Sequence, residues 1–531
     1  TYNRGADPNN PSDDPVFING DRNRPNGILT SASGAIPKGY TDNPPLLFMP
    51  RLNFAWDIGG KGDMVIRGGG GVFYNRVQGN YQYYVIQQPP NAFCGQQDGC
   101  GFGPDRFTGT GSLYERLGTL DPFVGLGNFN ISSASLDSTD VPRVTNASLT
   151  FEKRLPLKNV LAVGYVGTFG RHLPTSRQIN VIPPGRALSG IIGTGANAAD
   201  LSNPLHRANV AANNANALTP FRPFPAYNSI RVNEYVATSA YHSLQATLSR
   251  QLGKKFTYFA TYTFSKALGV TATDETGTEI DPIDARNRTY GILPFDRTHV
   301  INMSYTYVLP ELARGSFDNK FARGVLNGWQ MSGITTYSSG APMYLRFGGD
   351  INNNVAFAAF GTNAFTTTGR AAGGITPVFL RDPSIDGGSS QGDKILDIGA
   401  LGVPNFPGSG PFQSPFYLRS PHRWNHDVTF FKNFIFTETR KLQFRAAFFN
   451  LFNQAYPRWF GIGDNNNDIN TTLNVTCNVR RDNVPNGNGT NNSVCDPTGG
   501  FSFTQDTIDN FGRITRKRGH RVVELAVKFY F

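Results

Sequence analysis

The feature that most constrains the fold is a set of stretches in which apolar side chains, many of them aromatic, alternate with polar ones. From position 256 to 264, Phe, Tyr, Ala, Tyr and Phe occupy every second position, and Thr occupies most positions between them. Residues 296–309 and 440–452 repeat the pattern. A period of two predicts β-strands with one apolar and one polar face. The stretches reach about ten residues, which suits tilted strands that cross a bilayer better than the strands of roughly five or six residues usual in soluble sandwiches.

The connections between these stretches alternate in length. Short connections, such as 59–61 and 437–439, alternate with long ones, such as 75–141 and 453–520. This rhythm is typical of an up-and-down antiparallel barrel with tight turns at one rim and large loops at the other, and it disfavours a compact soluble domain. No apolar run reaches the roughly 18 residues that a transmembrane helix needs. We therefore predict an all-β transmembrane barrel.

Eleven strands are expected, and the over-long fifth and eighth should contain bulges or extend beyond the membrane. The candidate strands are residues 49–58, 62–74, 142–153, 158–169, 227–252, 256–266, 296–309, 326–347, 422–436, 440–452 and 521–531.

The chain carries a net charge of +11, which suits either an anionic membrane surface or nucleic acid. The basic residues are scattered, apart from a small cluster at Arg516, Lys517, Arg518 and Arg521, and no nucleic-acid-binding motif accompanies them. We expect no nucleic-acid partner. Contact with anionic lipid headgroups or lipopolysaccharide, and an ordinary solvated surface, both remain open.

The four cysteines form two local pairs in stretches that show no strand pattern. These pairs are Cys94 with Cys100 and Cys477 with Cys495. Small loops closed by local disulfides suit an oxidising compartment. Zinc binding is the competing use, but the spacing of the first pair is not CxxC and no His lies beside it. The sequence therefore predicts two disulfides, each within one loop.

No motif predicts catalysis or cofactor binding, because no GxSxG, HExxH or P-loop occurs. The run "GGGG" (68–71) lies within a candidate strand, and we expect it to allow a close approach of neighbouring backbone. His422 and His426 would lie about 13 Å apart on a strand, too far to share a metal ion. The acidic residues between 274 and 284 and the Asn-rich stretch 464–470 are expected to be solvated loops. We therefore predict no enzyme activity, no cofactor and no metal site.

Taken together, these stretches resemble the C-terminal barrel of TonB-dependent outer-membrane receptors, and the similarity is greatest to the Oar-like group. The resemblance runs through most of the strands, while the long connections carry no family signal. The matching stretches are "PRLNFAWDIGGKGDMVIRGGGGVFYNR" (50–76), "LAVGYVGTFGRHLP" (161–174), "YHSLQATLSRQL" (241–252), "ATYTFSKAL" (260–268), "DRTHVINMSYTYVLP" (296–310), "GWQMSGI" (328–334), "DVTFFKNF" (427–434), "FFNLFNQAYP" (448–457) and the terminal "ELAVKFYF".

The resemblance implies a barrel of about 22 strands with a plug inside, of which residues 49–531 would be the C-terminal half. Residues 1–48 would then be an extracellular loop or a connection from the upstream barrel. Because no signal peptide begins at Thr1, we expect a fragment of a longer Gram-negative protein. The plug, the segment that contacts the TonB complex and a carboxypeptidase-regulatory-like domain would lie upstream. The long connections would be extracellular, and the C-terminus would be periplasmic.

The last strand, "RVVELAVKFYF", ends on an aromatic residue. Its apolar residues alternate at Leu525, Val527, Phe529 and Phe531. This ending resembles the C-terminal signal of outer-membrane barrels, which the barrel-assembly machinery recognises. The resemblance implies that these four residues form the assembly signal and that the strand closes the sheet.

Two functions remain open from the sequence. The first is an outer-membrane receptor or transporter, energised through TonB, that takes up or exports a large ligand such as a siderophore, glycan, peptide or protein. The second is a passive structural or adhesive barrel without TonB coupling. A soluble carbohydrate-active β enzyme is a distant third. Expected partners are outer-membrane lipid and lipopolysaccharide, the TonB complex, the barrel-assembly machinery and an unidentified ligand.

Overall fold

The computed structural model describes most of the predicted strands and part of the long connections. The described residues are 46–75, 141–180, 227–250, 255–270, 290–313, 319–343, 345–349, 377–388, 390–403, 418–437, 440–459, 467–485, 490–496 and 499–531, together with short stretches within 17–25, 129–134, 191–206 and 278–280.

Eleven strands form one continuous antiparallel path, in which each strand pairs with the next along the chain. They are β1 (Arg51–Asp57), β2 (Met64–Tyr74), β3 (Arg143–Leu155), β4 (Asn159–Gln178), β5 (Tyr227–Arg250), β6 (Phe256–Val270), β7 (His299–Val308), β8 (Trp329–Ser338), β9 (Arg423–Ile435), β10 (Lys441–Phe449) and β11 (Val522–Tyr530). The prediction of an all-β fold is confirmed, and each candidate stretch overlaps one of these strands. The strands β3, β4 and β6 extend beyond their candidate stretches, which ended at 153, 169 and 266.

The two stretches that were predicted to be over-long have different explanations in the structure. The long β5 carries register shifts against β4 on either side of Ala237, so the expected bulges are present. The eighth stretch, 326–347, was predicted too long. Its start belongs to helix α1 (Lys320–Leu326), and β8 ends at Ser338, before two short separate strands. Most of the excess lies after Ser338, where the short strands Pro342–Met343 and Arg346–Gly349 belong to other sheets.

Smaller elements fill the connections. The short strands are Phe17–Ile18, Asp21–Pro25, Phe129–Ala134, Ile191–Ile192, Ala199–Asp200, Thr278–Ile280, Tyr290–Ile292, Pro342–Met343, Arg346–Gly349, Val378–Phe379, Leu401–Gly402, Leu418–Arg419, Thr472–Cys477, Arg480–Pro485, Asn491–Cys495 and Phe501–Phe503. Helix α2 spans Gln505–Asn510, and single 3-10 turns span Pro156–Lys158 and Ile398–Ala400. Among the described residues, no helix is both long enough and apolar enough to cross a membrane.

The strand register separates the side chains into an apolar and a polar face. Opposite residues in neighbouring antiparallel strands share a face, and Tyr258, Tyr305, Gly333, Val428 and Phe448 follow one another across β6 to β10. Six aromatic residues of the alternating stretches lie on this apolar face, namely Tyr258, Tyr262, Tyr305, Tyr307, Phe444 and Phe448. Polar residues of the same strands lie on the other face, namely Thr261, Thr263, Asn302, Ser304, Lys441, Gln443 and Arg445.

The glycine run 68–71 lies in the middle of β2 and accommodates side chains of β1. A Cβ atom on Gly68 would lie 2.5 Å from the ring of Phe54, and a Cβ on Gly69 would overlap Asn53. The run thus allows a close approach, as predicted. The approaching groups are two side chains that pack flat over the glycines, one on each face of the sheet.

The two outermost strands, β1 and β11, each pair along one edge. β11 pairs with β10 from Val522 to Tyr530, and the described residues place no strand on its other edge or on the free edge of β1. The apolar side chains of β11 are widely exposed, including Leu525 at 67% and Val527 at 64%. The sheet is therefore open within the described residues, and closure by the last strand stays a prediction.

Candidate functional site

The long connections after β8 and β10 fold together into one compact body at the rim of the sheet. We call it the loop unit and define it as the described residues within 342–349, 378–403, 418–420 and 468–518. It holds the main buried apolar cluster of the described residues. The cluster consists of Met343, Leu345, Ile395, Leu396, Leu401, Leu418, Ile469, Leu473, Val475, Cys495, Phe501, Phe511 and Ile514.

Backbone pairing and one covalent bond join the parts of the loop unit. The strand Arg346–Gly349 pairs in parallel with the strand Thr472–Cys477, and so links the connection after β8 to the connection after β10. Cys477 and Cys495 form a disulfide with Cα atoms 5.8 Å apart. The hydroxyl of Thr504 accepts a hydrogen bond from the Thr507 amide and so caps α2. Together these links fold the two connections as one body.

A buried carboxylate attaches the loop unit to the barrel wall. The side chain of Asp296 is fully buried and accepts hydrogen bonds from the Arg419 guanidinium and, at 2.6 Å, from the backbone amide of Ala267 in β6. Arg419 also donates to the carbonyl of Gly340, 3.2 Å away. Asp296 therefore joins the loop unit to β6.

A second buried carboxylate lies inside the loop unit. Asp468 is 1% exposed and accepts from two nitrogens of Arg518, at 2.8 and 3.1 Å, and from the backbone amide of Arg458 at 3.0 Å. A bidentate arginine neutralises this carboxylate. The pair of Asp468 and Arg518 therefore stabilises the segment that leads into β11. The prediction that the Asn-rich stretch is a solvated loop is wrong for its described end, because Asp468 and Ile469 are buried in the loop unit.

The surface of the loop unit carries a carboxyl group, that of Asp397, whose pKa is lowered. The backbone amide of Gly399 donates to Asp397 at 2.8 Å, and Arg381 donates to the same carboxylate. These two hydrogen bonds, the amide first, lower the pKa of Asp397 below its ordinary value of 3.8. The charged form of Asp397 is therefore part of the folded loop unit.

Two clefts accompany these features. An apolar cleft of about 570 Å³ opens on the loop unit beside Leu380, Val403 and Phe503. A larger cleft of about 640 Å³ lies along β5 to β10, where Arg250, Asp427 and Arg445 contribute charge. The described residues hold no group of three metal-ligating side chains.

The residues singled out from the sequence fall at different places. Cys94 and Cys100 lie outside the described residues, as do the side chains of the acidic stretch 274–284. The Nδ1 atom of His426 lies 3.0 Å from the Thr335 hydroxyl, and the ring of His422 packs on Tyr337. The apolar residues of β11 share one face with Phe448, and Phe531 is 95% exposed just beyond the strand.

Sequence reasoning missed a lysine on the apolar face. Lys432 in β9 is 3% exposed, and its ammonium donates to the carbonyls of Val325 and Asn327 at the end of α1. The ammonium also lies 5.6 Å from the ring centre of Trp329. Its position among aromatic residues in an alternating strand was a signal, since a charge there requires partners. The loop unit was missed as well, because its short strands have no readable period.

Residues 2–523 match the family model of the outer membrane beta barrel domain. No curated protein is similar to the chain by sequence.

Among solved structures, the ferric-catecholate import receptor Fiu of E. coli K12 is 8% identical with a TM-score of 0.34, and the match covers 93% of this chain and 38% of Fiu. The siderophore receptor PiuA of Acinetobacter baumannii is 8% identical with a TM-score of 0.33, and the match covers 90% of this chain and 35% of PiuA. The ferric citrate transporter FecA is 10% identical with a TM-score of 0.32, and the match covers 79% of this chain and 35% of FecA. The chain thus spans little more than a third of the length of these proteins.

Proposed function

The chain belongs to the outer-membrane β-barrel family, and from that premise we propose that it is part of a TonB-dependent receptor or transporter whose loop unit receives a large ligand. For this barrel we propose a binding and transport function and no enzyme activity. The proposal extends to the Oar-like group, on the strength of the sequence stretches described above. We also propose that the long connections are extracellular and that the C-terminus is periplasmic.

The observation that carries the proposal is the shared core of the two longest C-terminal connections. Loops that serve only as connections are expected to be solvated and variable. Here they are joined by a parallel strand pair and a disulfide around buried residues such as Leu473 and Phe511. A body of this kind presents a fixed surface, which lowers the entropy cost of holding a large ligand.

The attachment of this body to the wall supports a receptor in particular. Asp296 contacts both Arg419 of the loop unit and Ala267 of β6. A ligand that displaced the loop unit would therefore act directly on the barrel strands. The siderophore and ferric-citrate ligands named for the compared structures belong to those proteins, and we propose for this chain only a ligand large enough to contact the loop unit.

Energy coupling is tested with the full-length protein and the periplasmic domain of TonB. We expect site-specific cross-linking between the two in cells, and closed or weakly conducting channels in planar bilayers because a plug fills the barrel. A passive adhesive or structural barrel predicts no cross-link to TonB. Absence of the cross-link, in cells that assemble the protein in the outer membrane, would reject the receptor proposal in favour of that alternative.

We further propose that Phe531, with Phe529, Val527 and Leu525, is the signal read by the barrel-assembly machinery. Losing one aromatic side chain at the rim should cost only about 1–3 kcal/mol of burial. Deletion of Phe531 is nevertheless expected to lower the amount of protein in the outer membrane severalfold, and Phe531→Tyr should largely restore it. Assembly of the deletion variant at the parental level would contradict the assignment.

A further inference from the structure

The short helix α1, in the connection between β7 and β8, exposes its apolar side chains. Phe321, Val325 and Leu326 are 82%, 47% and 39% exposed. Residues four apart share one side of a helix, so Phe321 and Val325 form a single apolar surface. The exposed Arg323 lies on the opposite side of the helix. A surface helix normally packs its apolar side on the protein core, and an exposed one marks contact with a partner or a membrane.

Two side chains of the barrel wall hold the end of α1. The Lys432 ammonium donates to the carbonyls of Val325 and Asn327, at 2.9 and 2.7 Å. The indole of Trp329 donates to the carbonyl of Val325 at 2.8 Å. Trp329 and Lys432 are directly opposite each other in the register, and Lys432 is in turn opposite Phe444 on the apolar face. The end of α1 therefore lies on the apolar side of the sheet, which is turned to lipid in an outer-membrane barrel.

The attachment lies within the height of the wall and not beyond its rim. Lys432 is three residues before Ile435, the last residue of β9. At about 3.3 Å per residue and a tilt of about 40°, this separation is roughly 8 Å of height. Helices that lie in a membrane interface bury their apolar side by about 5–10 Å. With the strand end at the membrane surface, the end of α1 lies at the depth of such a helix.

The wall around this attachment has the aromatic character of a membrane interface. The Lys432 ammonium lies 5.6 Å from the ring centre of Trp329 and 5.0 Å from that of Phe434. The ring of Trp329 also packs on Phe444, with centroids 6.4 Å apart. Isolated helices shorter than about 12–15 residues are marginal in water, so a helix of seven residues needs the partners that this wall supplies.

We propose that α1 is a membrane-interface helix, whose apolar side enters the lipid layer at the short-turn rim and whose end is fixed to the wall by Lys432 and Trp329. A phospholipid layer is the occupant that these contacts favour, because it covers the apolar wall and the exposed side of α1 with the same hydrocarbon. The proposal rests on the outer-membrane placement of the sheet. It is independent of ligand transport, of energy coupling and of which rim is periplasmic.

The test uses the full-length protein in phospholipid vesicles, with an environment-sensitive fluorophore on single introduced cysteines. The quenchers are lipids brominated near the headgroup end of their acyl chains. Phe321→Cys and Val325→Cys are compared with Arg323→Cys, on the opposite side of the same helix, and with Leu149→Cys, an exposed position of the apolar face. We expect quenching at positions 321 and 325 to be at least about threefold stronger than at 323, because only the apolar side enters the lipid.

A second variant tests the attachment to the wall. Lys432→Met removes both hydrogen bonds to α1 and keeps an unbranched apolar side chain on the lipid face. Quenching at Phe321→Cys should then fall towards the value at Arg323→Cys, while quenching at Leu149→Cys stays the same because the barrel remains inserted. Unchanged quenching at position 321 in the Lys432→Met background would overturn the role given to this lysine.

Three further results would overturn the proposal as a whole. The first is equal quenching at positions 321 and 323. The second is quenching at 321 that rises with the ratio of protein to lipid, which would indicate contact between two copies of the chain. The third is weak quenching in vesicles together with protection of the same cysteine from a maleimide in cells, which would indicate a protein partner. Since no arm of the test involves TonB or a transported ligand, failure here leaves the proposed function untouched.

Discussion

An arginine placed on either face of β7 tests the assignment of faces most sharply. Met303 and Asn302 are neighbours near the middle of this strand, and the register puts Met303 on the apolar face and Asn302 on the polar face. Asn302 is exposed and Met303 is partly buried between Ala260 and Thr335. Met303→Arg and Asn302→Arg thus add the same group at almost the same depth.

The expected cost differs because the two environments differ. Met303 lies four or five residues from either end of β7, which is about 10–13 Å of height at the usual rise and tilt, close to the midplane. An arginine on the lipid face at that depth costs about 2–4 kcal/mol. An exposed polar-face substitution usually changes stability by no more than about 0.5 kcal/mol. Met303→Arg should therefore be the more destabilising change by at least about 1.5 kcal/mol.

The assay is urea unfolding in lipid vesicles, supported by the fraction of heat-resistant folded protein in gels. The full-length protein is used, and both variants are compared at equal membrane levels. Equal losses for the two variants, or a larger loss for Asn302→Arg, would show that the apolar face does not face lipid.

Three further predictions concern the loop unit. Cys477→Ser should destabilise the loop unit by about 3 kcal/mol, since the disulfide with Cys495 closes a segment of 18 residues, and limited proteolysis should then cut the unit while sparing the barrel. Because the pKa of Asp397 is lowered on folding, its contribution is present above 3.8 and lost as the pH falls below that value, so Asp397→Asn should flatten the acid dependence of protease resistance. Arg518→Ala should cost about 3–5 kcal/mol because it leaves a buried carboxylate unpaired, whereas Arg516→Ala, at an exposed position, should be nearly neutral by thermal unfolding.

The strands could be predicted because period-two alternation is local and survives in every strand that separates lipid from a polar interior. The same signal gave the correct faces for Tyr305 and Ser304, which differ by one position. Alternation could not predict which residues of the polar face are buried. Ala447 lies on the polar face, one position before Phe448, and yet its side chain is only 1% exposed beside Thr429 and Glu524. The exposure of a side chain on this face depends on packing from neighbouring strands, which the sequence of a single strand does not show.

The loop unit could not be predicted from sequence patterns, and the reason is different. Its strands have between two and six residues, and the parallel partners Arg346–Gly349 and Thr472–Cys477 are separated by two membrane strands. Only the pairing of Cys477 with Cys495 was readable, because both residues lie within one connection. The buried pair of Asp296 and Arg419 is likewise a contact between connections, and nothing local marks it.

The most direct test of the central claim is the side of the membrane on which each rim lies. Single cysteines are introduced at Ile508 in the loop unit and at Thr437 in a short turn, both exposed positions. Intact cells are then treated with a membrane-impermeant maleimide, before and after permeabilisation of the outer membrane. A receptor with its loop unit outside the cell predicts labelling of Ile508→Cys in intact cells and of Thr437→Cys only after permeabilisation. Labelling of Thr437→Cys but not Ile508→Cys in intact cells would contradict the account.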